Sequence, residues 1–153
     1  MGLDVSHDAF SGGYGSYLIL RESLLHAAGY RKTKDYPPTF EWDGDPDFDL
    51  PENKAIWDQA RFGEIDEWPF DPVLFLWAHE DCEGIIRPVI AGQIADRIEQ
   101  LLPRLHDATL AFAPAWADPH PEERSQRTTT TMASQFLSGL REASLAGEEV
   151  TFW

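Results

Sequence analysis

Pro72 to His79 reads PVLFLWAH, a run in which every residue between the proline and the histidine is apolar. Eight residues are too few to cross a bilayer, which takes roughly 18 or more. The run must therefore be buried within the protein itself. A short apolar run bounded by turn residues is the mark of a strand covered on both faces, and Asp71 before it and EDCEG after it supply the boundaries. The segment is expected to be the central strand of a small sheet, and the remaining chain must supply the layers that cover it.

The flanking segments carry the spacings such layers need. Leu3 and Val5 alternate with smaller or polar residues in GLDVSH, a short strand. From about Tyr14 the period becomes helical, with Tyr17, Leu18, Leu24, Leu25 and Ala28 on one face and Gly29 as the stop. Pro88 opens another helix with an inner stripe of Ile90, Ile94, Ile98 and Leu101, and Pro103 is expected to end it. APAWADPHPEE reads as a linker. A last helix is expected from about Glu122 to Ala146, with Met132, Phe136 and Leu140 inward and Gly147 as the stop, before a terminal strand in EVTFW. Residues 30–72 form a long excursion rich in Pro, Asp and aromatics, pinned by Phe40, Trp42, Phe48, Trp57, Phe62 and Trp68, with a short helix near Asn53 to Ala60. The expected fold is α/β or α+β. It is a single layer-type domain over residues 1–153, in which a small mixed sheet of about three or more strands is packed by about three helices.

Charge narrows the partners. Twelve Lys and Arg stand against 27 Asp and Glu, a formal net charge of −15. Nucleic acid and anionic membranes are held by clustered cations, so neither is expected as a partner. Cys82 is the only cysteine, so no internal disulfide can form and a reducing, cytoplasmic setting is expected. MGLDVSHDAF lacks the basic and apolar regions of a signal peptide.

Two stretches concentrate reactive groups. In SHDAFSGGYGSY, a predicted strand, a glycine-rich turn and a helix start would aim backbone N–H groups at an anion. Gly12 and Gly13 would hold a phosphate, Ser11 would serve as a cap or hydroxyl donor, and Tyr14 or Tyr17 would stack on a base. The same residues also suit a plain capped helix entrance, since no Walker lysine follows. In AHEDCEG, His79 ends the predicted central strand and Asp81, Cys82 and Glu83 follow. If the strands before His7 and His79 run parallel as neighbours, both imidazoles open into one crevice beside Asp8 and Asp81, under the 30–72 excursion. Arg87 would neutralise a bound phosphate there. A polar turn with capping side chains is the plainer alternative. Cys82 lies between two carboxylates that disfavour a thiolate, so a small packed cysteine is expected rather than a nucleophile. Asp43, Asp45, Asp47 and Asp49 alternate, but an EF-hand would need its glycine at Phe48 and its glutamate at Lys54. Residues 41–52 read instead as a solvated acidic loop.

GLDVSH with Ser11–Gly12, HEDCEG at His79, Asp81, Cys82, Glu83 and Gly84, and FLSGLREA at Phe136, Gly139, Leu140 and Arg141 together resemble a family of small uncharacterised proteins of bacteriophages and bacteria. Glu83 stands where relatives often carry Asp. The resemblance implies a phage context but no activity. The first expectation is a small-molecule-binding protein that sequesters a nucleotide-derived host defence signal, with no cofactor. The first alternative is a metal-dependent hydrolase of a phosphorylated or nucleotide substrate. It would hold Zn or Mn through His7, His79 and Asp81, with Asp8 or Glu83 as general base. The second is an acidic interaction module that inhibits a basic host protein. A homo-oligomer is compatible with each, and the residues leave open whether any reaction is catalysed.

Overall fold

Leu3 and Val5 point into the core from β1 (Gly2–Val5), while Gly2 and Asp4 face solvent, as the alternation requires. The computed structural model describes residues 2–32, 40–41, 48, 50–80, 82–118 and 127–153. Among these, β1 is followed by β2 (Phe10–Gly13), α1 (Tyr14–Ala27), β3 (Arg31–Lys32), β4 (Phe40–Glu41), α2 (Pro51–Gln59), a 3₁₀ turn (Ala60–Phe62) and α3 (Pro72–Ala78). Then come β5 (Gly84–Ile86), α4 (Pro88–Phe112), α5 (Pro114–Ala117), α6 (Thr129–Ala146) and β6 (Val150–Phe152). The fold is mixed α/β. A four-stranded antiparallel sheet of order β2-β1-β6-β5 is covered on one face by helices. Val5 pairs with Phe152, so the two ends of the chain form the sheet's centre.

The central strand expected at Pro72–His79 is instead a helix. Pro72 occupies the first turn of α3, and the Asp71 carboxylate accepts from the Val73 N–H at 3.1 Å. Val73, Leu74, Phe75 and Leu76 are all buried because α1, α2 and α4 pack around this one helix. A helix covered on every side has no polar face, so its sequence cannot be told from that of a doubly covered strand.

Asp71 is also a tertiary anchor. Arg97 donates to it through Nε at 3.1 Å and Nη2 at 3.0 Å, and the Tyr30 hydroxyl donates at 3.3 Å. Burial, with the Asp71 charge in second place, pushes the Tyr30 phenol up to about 12. Asp71→Ala removes a helix cap and leaves Arg97 without its carboxylate, at an expected cost of about 2 kcal/mol. A denaturant midpoint measures the loss, and a phenolate titration should show Tyr30 ionising at lower pH. An unchanged midpoint would mean that the anchor contributes nothing.

Pro103 does not end its helix, as the sequence led us to expect: α4 continues to Phe112. The proline removes one helical N–H and leaves the Glu99 carbonyl without that donor, but Glu99 and Pro103 both face solvent, where water replaces it. Ile98, Leu101 and Leu105 on the opposite face are fully buried and hold both halves in line. Antiparallel to α4 runs α6, with Arg141 bonded to Asp96 and Glu99 and Thr109 sharing a hydrogen with Thr129 at 2.7 Å. The expected stripes Ile90–Leu101 and Met132–Leu140 are buried, although Leu18 of the α1 stripe is exposed. No helix among the described residues is long and apolar enough to cross a membrane.

Candidate functional site

SHDA answers to the hairpin. Ala9 N–H donates to the Ser6 carbonyl at 3.2 Å, and His7 and Asp8 lie at φ 58° and 51°. Both central residues are left-handed, as the turns that match strand twist require, yet neither is glycine. Surrounding contacts hold this strained pair. Gln135 Nε2 donates to the Asp8 carbonyl at 2.7 Å, and Glu142 and Glu148 flank the His7 ring at 3.7 and 3.3 Å. Gly139 of α6 lets the turn approach, since a Cβ there would lie 2.5 Å from that of Ala9.

The glycine-rich stretch is a strand, not a loop. Ser11, Gly12 and Gly13 belong to β2, and an Arg127 guanidinium donates to the Ser11 carbonyl and fills the space beside Gly12 together with the Phe10 ring. Tyr14 is half-buried. Tyr17 is 1% exposed, its ring packed by Phe10, Phe136 and Phe152. Arg87 is the residue before α4 and pairs with Asp66 at 3.1 Å. Cys82 is exposed rather than packed. Asp81, Trp42 and the acidic residues 43, 45, 47 and 49 lie outside the described residues.

His79 follows a helix, and among the described residues no strand parallel to β1 precedes it. It packs on Phe152, the last residue of β6, and on Phe75, whereas His7 lies beside Glu148 ahead of that strand. The two imidazoles thus have separate surroundings. Among the described residues no group of three or more His, Cys, Asp and Glu is arranged to hold a metal ion.

A different assembly surrounds His79. Arg21 from α1, Trp57 and Asp58 from α2, Arg61 from the 3₁₀ turn, and Trp77 to Glu80 at the end of α3 line a cavity of about 560 Å³. That volume lies within the range of small-molecule sites. Arg21 is 7% exposed, donates to the Leu76 carbonyl at 3.2 Å, and lies over the Tyr17 and Trp77 rings at 5.0 and 5.1 Å. Arg61 Nε pairs with Glu80 at 3.2 Å. The His79 ring approaches the Ile85 carbonyl at 3.0 Å through Nε2; a carbonyl only accepts, so Nε2 carries the hydrogen. Burial pulls this imidazole down to about 4, against the opposing pull of the Glu80 and Ile85 backbone, so it is neutral at neutral pH.

Part of the 30–72 excursion therefore does wall a cavity, through Trp57, Asp58 and Arg61. The chain matches no family model, no curated protein and no solved structure. Of the candidate site residues named from sequence, His79 lines this cavity, beside Trp57, which the sequence marks only as a pin of the excursion. Arg21, Arg61 and Trp77 carried no functional signal in the sequence because they are scattered over three elements. The available signal was Arg21 itself, a cation next to Glu22 within the apolar spacing of α1.

Proposed function

We propose that this protein captures a small nucleotide-derived molecule in the cavity between α1, α2 and α3. The observation that carries the reading is the Arg21 guanidinium held between Tyr17 and Trp77, lining one cavity with Trp57 and Arg61. Tryptophan faces suit a base, and guanidinium groups suit a phosphate. In a chain of net charge −15, a lining in which, among the described residues, two arginines stand against Asp58 and Glu80 is far less acidic than the protein as a whole, which makes an anionic ligand less unfavourable there than elsewhere. Holding fits better than turnover, because an imidazole as weakly basic as His79 is a poor proton acceptor at neutral pH. The resemblance to phage-carried proteins gives capture a use in the host cytoplasm, the removal of a nucleotide-derived defence signal.

None of the residues of α2 is buried, so this helix is the lightly held wall of the cavity. A ligand that bridges Trp57 and Arg61 to Trp77 should slow amide exchange in α2 at least about tenfold while leaving α4 and α6 unchanged. Hydrogen exchange by mass spectrometry, with and without a panel of nucleotides, reads this directly. Protection confined to residues 6–17 would move the site to the hairpin and end the present assignment.

A further inference from the structure

We infer that a second cavity, where α2, the segment before α3 and the start of α4 meet, docks a basic segment of a partner protein, an arginine or lysine flanked by apolar residues. The cavity encloses about 530 Å³ and shares no lining residue with the one around His79. Trp68, 5% exposed, is fixed in its wall. Its Nε1–H donates to the Asp71 carbonyl at 3.0 Å, and its ring packs edge-on against Phe70 and Phe75. Ile56 of α2, Pro69 and Val89 of α4 complete the apolar lining. Val89 is 65% exposed although Ile90 and Ala91 after it are fully buried, so an apolar edge of the cavity stands open to solvent.

The polar groups of the lining decide the occupant. Asp66 and Glu67 are acidic, and among the described residues no Lys, Arg or His lines the cavity. Arg87 holds Asp66 at 3.1 Å. Glu67, Gln59 and Gln93, in contrast, make no side-chain hydrogen bond or ion pair among the described residues. An unpaired carboxylate beside apolar surface selects a cation carried on an apolar stem, which is the makeup of Arg and Lys side chains. Each glutamine amide offers an acceptor and a donor pair, the complement of the N–H and C=O of a peptide unit. A second copy of this chain, nucleic acid and anionic lipid all bring negative charge to a protein of −15 and are repelled, whereas a basic protein is attracted.

NMR titration of the isotope-labelled full chain with three capped pentapeptides, ALRLA, ALQLA and ALELA, tests this. ALRLA should shift the side-chain amide signals of Gln59 and Gln93 and the indole N–H of Trp68, and it should bind at least about threefold more tightly than ALQLA. ALELA should not bind. Glu67→Gln should erase the preference by weakening ALRLA alone, and Val89→Lys should weaken ALRLA at least about threefold. Both positions are exposed, so neither change disturbs the core. ALRLA shifts that miss these three signals or spread over acidic residues elsewhere overturn the inference, and so does a Glu67→Gln variant with undiminished affinity. Spermidine that moves the same signals with equal affinity overturns the peptide as occupant in favour of a small cation. Shifts at these signals that grow with protein concentration alone overturn it in favour of a second copy. Each of these results leaves nucleotide capture standing, because the two cavities have no residue in common.

Discussion

Gly63→Ala is expected to destabilise the protein by about 3 kcal/mol. Gly63 ends the 3₁₀ turn at φ +76°, a left-handed conformation that costs alanine about 1 kcal/mol. The larger part is steric. A Cβ there would lie 1.5 Å from the Ile85 carbonyl oxygen and 2.6 Å from its carbon. The clash is with backbone, so no rotamer relieves it, and β5 must shift from β6 or the turn must move. The same carbonyl accepts from His79 Nε2, so that bond suffers too. Against a typical total of about 5–15 kcal/mol the loss is large. Gly13→Ala is the control, since nothing lies within 4 Å of a Cβ there. Guanidinium midpoints for both variants give the answer. A Gly63→Ala midpoint equal to that of Gly13→Ala would mean that the close approach to β5 is not held in solution.

Acidification should cost nearly as much through one residue. In the unfolded chain His79 takes a proton near its ordinary value of 6.5, whereas in the folded protein burial lowers this to about 4. Below 6.5 the unfolded state binds more protons, so stability falls as pH falls and the loss is complete only below about 4. The full difference is about 3 kcal/mol, of which about 2 kcal/mol is lost between about pH 7.5 and pH 5. His79→Gln keeps a donor for the Ile85 carbonyl but does not titrate. The variant should lose about 2 kcal/mol less than the parent over that interval, whatever its absolute stability. Equal losses in the two proteins would mean that His79 is not buried as a neutral ring.

These two predictions meet at one place, the packing of Gly63, His79 and Ile85, and sequence reasoning reached only part of it. His79 drew notice through its neighbours Asp81 and Cys82. Its actual surroundings are the aromatic rings of Phe75 and Phe152 and a carbonyl six residues ahead. Pairing it with His7 relied on a parallel strand at 72–79. Once that segment is a helix, no parallel pair of strands among the described residues brings the two rings to one edge. Arg21 and Trp77 meet because α1 and α3 pack together, a contact between residues 56 apart that no local pattern announces.

By itself the sequence determined the elements whose order is written in local spacing. α1, α4 and α6 each repeat apolar residues at helical intervals, and β1 alternates; these patterns select a backbone period before any partner is present. Tertiary structure decided the rest. Pro72–Ala78 is apolar on every side, so only the helices around it and the Asp71 cap fix its form. α4 passes Pro103 because burial of Ile98, Leu101 and Leu105 outweighs one missing hydrogen bond on a wet face. β2 and β5, FSGG and GII, carry no alternation of apolar and polar residues. They are strands because β1 and β6 lie beside them with free backbone groups to pair, and that pairing exists only once the two ends of the chain have met.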